Sequence, residues 1–143
     1  MNKEITHSFH FSCEPNAVLS ALIKVEHIQN WWTKDASFIE GKGVFRWREY
    51  GWVVDLLLDK SNDDRVVTWK CLRSNMQNTD AWEGSTISFE LTKEETGTEL
   101  KLRHFNYKNS PCYDICFDGW AFVVGNSMKH YLETGKGLPY VAD

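Results

Sequence analysis

The residues able to do polar chemistry are few in this chain and stand far apart. His104 ends the alternating run Thr98, Leu100, Leu102, His104, so it shares a strand face with leucines and points inward. An imidazole there has two readings. It hydrogen-bonds a ligand carbonyl or takes a proton as a general base, or it is a core histidine satisfied by backbone or a neighbouring side chain. His7 lies in a similar run with Ile5, Phe9 and Phe11, while His10, His27 and His130 fall at positions expected to be exposed. None of these histidines belongs to an HExxH or an Hx3–5H pattern, so no metal and no cofactor is expected. Cys13, Cys71, Cys112 and Cys116 form no CxxC and read as free thiols acting as small buried hydrophobes. No GxSxG is present, and Gly135-Lys136-Gly137 follows a helix instead of opening one, so it reads as a helix stop and not a phosphate loop. Asp55 interrupts the apolar residues 53–58. Facing inward it would pair with an arginine such as Arg46 or Arg48. Facing outward it is a solvated strand residue, the favoured reading, although a bulge at Gly51 would reverse the parity. No residue is assigned a catalytic role.

Aromatic residues are the other chemical resource. They make up 14% of the 143 residues, with seven tryptophans, and residues so costly to expose must line a core, a pocket or an interface. Trp32, Trp47, Trp69 and Trp120 suit either a pocket for a flat apolar ligand or a filled core. The net charge of −4 argues against nucleic acid and anionic membranes as partners. No apolar run is long enough to span a bilayer, and the first residues alternate instead of forming a signal-peptide core, so a cytoplasmic protein is expected.

The elements that position these residues follow from periodicity. Residues 3–12 alternate as a strand. Pro15 opens a short helix with Ala17, Val18, Ala21 and Leu22, and a second short helix carries Ile28, Trp31 and Trp32. About six strands follow in hairpin succession, the polar residues 60–64 and Glu94-Glu95-Thr96-Gly97 marking turns, and residues 73–84 read as a loop in which Trp82 stands out. Residues 110–137 form the longest amphipathic helix. Ser110-Pro111 opens it, and Phe117, Trp120, Val124, Met128 and Tyr131 form its apolar stripe. Gly119 and Gly125 are places where it approaches the sheet or bends. Short turns make the sheet antiparallel, and only the long helix can cover its apolar face. No repeat or linker divides the chain, so residues 1–143 are read as one α+β domain, a curved antiparallel sheet and two short helices wrapped around a long C-terminal helix.

This order resembles the START-like, Bet v 1-like helix-grip superfamily, and within it the branch of Hsp90 ATPase activator homologues. The matching pieces are Pro15 with Ala17-Val18 and Ala21-Leu22, Ile28 with Trp31-Trp32, Gly43-Val44-Phe45, Arg65-Val66-Val67-Thr68-Trp69, the run ending at His104, and Gly119-Trp120 with Tyr131-Leu132-Glu133 and Gly135. The resemblance implies a cavity between sheet and helix that accepts an apolar or amphipathic small molecule, lipid-, sterol- or polyketide-like. Expected to contact such a ligand are Trp32, Phe45, Trp47, Trp69, Phe89 and His104, with Phe117, Trp120, Val124 and Met128 on the helix. Two other readings stand beside it: a cyclase-like enzyme using His104 with Asp55 or Tyr50, and an interaction domain similar to the activators, contacting a chaperone. A homodimer through an exposed strand or Trp82 is compatible with each.

Overall fold

The computed structural model describes residues 3–60, 65–107 and 113–141. The expected starts at Ser110-Pro111, the position of Cys112 and the turn at residues 61–64 lie outside the described residues. Strand β1 (Lys3–Phe11) leads into α1 (Pro15–Ile23) and α2 (Val25–Ile28). Strands β2 (Ala36–Ile39), β3 (Lys42–Trp47), β4 (Trp52–Lys60), β5 (Val66–Ser74), β6 (Thr86–Glu94) and β7 (Gly97–Tyr107) then form a meander. All seven strands lie in one antiparallel sheet of order β1-β7-β6-β5-β4-β3-β2, β1 closing onto β7. The C-terminal helix is α3 (Tyr113–Phe122), a π-helical stretch (Val123–Met128) and α4 (Lys129–Thr134), running end to end. Gly135, at φ 85°, ends it in the left-handed region that glycine adopts without a steric penalty.

Alternation sends one face of each strand inward. Phe45 and Trp47 on β3, Val54 and Leu56 on β4, Val67 and Trp69 on β5, Ile87 and Phe89 on β6, and Leu100, Leu102 and His104 on β7 are all buried. From above, α1 adds Val18, Leu19, Ala21 and Leu22, and the long helix adds Cys116, Trp120, Val124 and Met128. Trp32 is the hub of this core. Its ring lies 4.8 Å from Phe45, 5.4 Å from Trp47, and 5.6 Å from both Trp69 and Trp120. Such pairs each contribute roughly 0.5–1.5 kcal/mol beyond the area they bury.

Several expectations are corrected. Trp31 and Trp32 follow α2 in a turn instead of riding on it, because α2 ends at Ile28. Ala17 faces solvent and Leu19 replaces it in the α1 stripe. Gly51, at φ 71°, ends a 3-10 turn (Arg48–Tyr50) within the β3–β4 hairpin and introduces no bulge into β4. The bulge lies on β5. Asp55 pairs with Arg73 and Leu56 with Cys71, so Leu72 is the extra residue and both Leu72 and Arg73 face outward.

Candidate functional site

His104 is positioned by β7 between Ile5 on β1 and Ile87 on β6, and it is wholly buried. The loop at residues 79–85 closes over it. The Trp82 ring meets the imidazole edge-on at 4.8 Å. Trp120 Nε1–H donates to His104 Nδ1 at 3.2 Å, so the other nitrogen carries the proton and Nε2–H donates to Ser85 Oγ at 2.8 Å. The Ser85 hydroxyl passes the chain on by donating to the Trp82 carbonyl. Both ring nitrogens are thereby engaged, and desolvation lowers the His104 pKa to about 3, leaving the ring neutral near pH 7. The histidine is a core residue tying β7, the 79–85 loop and the long helix together, and it is not among the residues that line the cavity beside that helix.

The other polar candidates are separated from it. Asp55 pairs with Val44, opposite in parity to Phe45, and so lies on the outer face of the sheet. It is outward as expected but not solvated, being 4% exposed beneath Lys42 and Arg73, whose nitrogens lie 3.5 and 3.4 Å from its Oδ2. Tyr50 is exposed and stacks on Trp52 at 4.5 Å. Neither can join His104 in proton transfer. His10 and His27 are half-buried instead of exposed, bound to Glu94 at 2.8 Å and to the Tyr131 hydroxyl at 2.6 Å. Burial pushes the Cys71 thiol up to about 12, which removes it as a nucleophile near neutral pH.

One cavity of about 310 Å³ opens beside the N-terminal half of the long helix. Its floor is Trp31, Trp32, Trp47 and Trp120, and Trp52, Met76, Gln77 and Trp82 close one side. Cys116, Gly119 and Val123 come from the helix, and Leu138, Pro139 and Tyr140 from the C-terminal tail. Ile115, Phe122 and Leu138 stand half-exposed at its mouth. Three of the ten residues expected at the ligand site, Trp32, Trp47 and Trp120, line it. Phe45, Trp69, Phe89, Val124 and Met128 are packed behind them in the core. Phe117 turns away. It is 37% exposed, lies 4.3 Å from the His7 ring, and its carbonyl accepts from His7 Nε2 at 2.9 Å.

The tail is built into this site. Tyr140 bridges Thr33 in parallel, its N–H donating to the Trp32 carbonyl at 2.9 Å and its carbonyl accepting from Lys34 N–H at 3.0 Å. Buried Ser127 accepts from Leu138 N–H at 2.9 Å and donates to the Trp31 carbonyl at 2.7 Å. The tail and residues 75–82 carry no periodic apolar pattern, which is why their contribution escapes a reading of the sequence. Only the isolated Trp82 signalled it. Buried at 4%, Trp82 is a wall of the cavity and not the exposed contact considered for a dimer.

The model for the family described as Activator of Hsp90 ATPase homolog 1-like protein matches residues 12–133. The chain belongs to this family. The Aha1 dimer of Colwellia psychrerythraea, solved in solution, matches with a TM-score of 0.80 at 26% identity over 94% of this chain and 99% of that one. A protein of Mesorhizobium loti matches at 0.74 and 18% identity over 95% and 100% of the two chains. An AHSA1-like protein of Aeromonas hydrophila matches at 0.67 and 15% over 93% and 94%. At the identities of the last two, the likeness speaks for the fold alone. Among curated proteins no match was found. In this AHSA1-like chain no described helix is long and apolar enough to cross a membrane.

Proposed function

We propose that this AHSA1-like domain is a binding module that holds a small apolar molecule in the cavity beside its C-terminal helix. One observation carries the reading. Gly119 occupies a mid-helix position facing the cavity, and a Cβ built there would meet nothing within 4 Å. Glycine inside a helix costs about 1 kcal/mol relative to alanine, and here no close contact requires it. What its missing side chain does is leave room. The cavity, at about 310 Å³, sits at the small end of the roughly 300–1,000 Å³ typical of ligand sites, which favours a ring-sized guest over a long lipid or a sterol.

The direct test is native mass spectrometry of gently purified protein, together with a thermal-shift panel of apolar metabolites, on wild type and on Gly119→Leu. The leucine should fill the space, keep or raise the melting temperature, and abolish both the carried ligand and the ligand-induced shift. Equal ligand response in the two proteins would refute this site.

A second reading, self-association, has support of its own. The Colwellia protein is described as a dimer, and the half-exposed Ile115, Phe122 and Leu138 give this chain an apolar rim. Sedimentation of wild type against Phe122→Glu tests it. A monomeric wild type, or a dimer indifferent to that charge, removes the rim as an interface. The enzyme reading based on His104 loses its support, because that ring neither borders the cavity nor has a nitrogen to spare.

A further inference from the structure

The polar groups that the fold leaves unused around the cavity define what kind of guest it takes. Most of its tryptophans spend their N–H on the protein. Trp31 donates to the Ala21 carbonyl, Trp52 to Asn78 Oδ1, Trp82 to Cys116 Sγ and Trp120 to His104. Trp32 and Trp47 do not. Although 5% and 7% exposed, neither indole N–H has an acceptor among the described residues, and neither nitrogen is among the atoms sealed from solvent. The cavity is the open space that both side chains border.

Gln77 adds a third unused group. Its half-buried side chain lines the same cavity, and its amide has no partner among the described residues. The backbone that puts it there is strained. Gln77 and Asn78 sit consecutively at φ 58° and 61°, a region L-residues seldom adopt, at a cost on the order of 1–3 kcal/mol each. The turn is held by its neighbours: Asn75 Oδ1 accepts from Val53 N–H at 2.8 Å, and Asn75 Nδ2 donates to the Gly51 carbonyl at 3.1 Å. The turn so held presents the Gln77 amide, without a partner among the described residues, to the cavity.

No charged side chain is among the described residues lining the space. A carboxylate entering it would lose its hydration without a cationic partner. A quaternary ammonium has no lone pair to accept from the Trp32 and Trp47 N–H groups and would leave both donors unpaired. Resting on the binding-module reading above, we infer that the cavity selects an uncharged planar aromatic molecule carrying a hydrogen-bond acceptor of the carbonyl type, which the Trp32 and Trp47 N–H groups and the Gln77 amide hold.

Four probes of one shape separate the outcomes: 2-acetylnaphthalene, 2-ethylnaphthalene, 2-naphthoate and a naphthyl trimethylammonium. Each is titrated into 15N-labelled full-length protein, following the indole N–H signals. The ketone should bind about fivefold or more tighter than the ethyl compound, the range one net hydrogen bond supplies. It should move the Trp32 and Trp47 indole signals downfield, with the two ions binding more weakly than either. Trp47→Phe and Gln77→Leu should each shrink the ketone-to-ethyl ratio, which cancels whatever the altered wall does to both ligands alike. Equal binding of ketone and ethyl compound would overturn this inference and leave the binding module standing. Preference for either ion would also overturn it. If none of the four binds, this inference is overturned, and the binding reading is decided by the comparison of wild type with Gly119→Leu.

Discussion

His104 shows how little a residue's type reveals about its role until its partners are known. Its inward direction follows from alternation with Leu100 and Leu102, and the structure places it so. Its function was decided by Ser85, Trp82 and Trp120, residues from a loop and a helix that no local pattern connects to β7. The satisfied ring also has a measurable signature. The folded pKa of about 3 lies below the value near 6.5 of an unfolded chain, so between them unfolding takes up a proton. This group's contribution to stability is therefore complete above about pH 6.5 and is lost as pH falls toward 3, by up to about 1.4 kcal/mol per pH unit. Urea denaturation of wild type and His104→Gln between about pH 7 and pH 4.5 should show the variant less stable at neutral pH but with a shallower decline. Parallel declines would mean that the ring stays accessible to protons in the folded state.

The long helix is the element on which the site depends, and its two glycines do opposite things. Gly125 lies in the π-helical stretch, where a Cβ would come within 2.6 Å of the Phe9 ring on β1, so the helix touches the sheet there. Gly119 faces open space. Both were legible as departures from good helix sequence, but their different reasons were not, because the distance to the opposing surface is a tertiary quantity. Gly119→Ala should stabilise by about 0.4–1 kcal/mol through the unfolded chain. Gly125→Ala gains the same propensity and loses about 1–3 kcal/mol to overpacking, for a net loss. Calorimetry should move the two melting temperatures in opposite directions. A rise for both would mean that Phe9 yields and that this contact does not set the path of the helix. The expected stripe fails inside α3 itself, where Cys116 and Trp120, four residues apart, set the inward face and leave Phe117 to one side of it.

At the scale of the whole molecule, the cavity exists because the chain returns to it after the helix. Residues 138–140 form a wall, and Ser127 fastens them by joining Leu138 N–H to the Trp31 carbonyl. Ser127→Ala leaves both groups without that partner, at a cost of about 1–3 kcal/mol. Hydrogen exchange should then accelerate at the Leu138 and Tyr140 amides while the central strands β5 to β7 stay protected. Loss of protection throughout would show that the tail is part of the global folding unit, and unchanged exchange would show that Tyr140 alone holds it.

The sequence by itself determined the fold and the way its elements are ordered. Side-chain periods of two and 3.6 are local properties, short turns force antiparallel pairing, and a single long amphipathic helix has only one apolar sheet face to cover. It also determined that tryptophans would dominate the interior. Only the tertiary structure decided which of them face open space. That choice placed Trp32, Trp47 and Trp120 at the cavity and sealed Trp69 and Phe89 behind them. It also brought in Gln77, Trp82 and the tail, whose neighbours in space lie far away along the chain. A cavity is volume that no side chain fills, and no property of a single residue or its near neighbours encodes a volume.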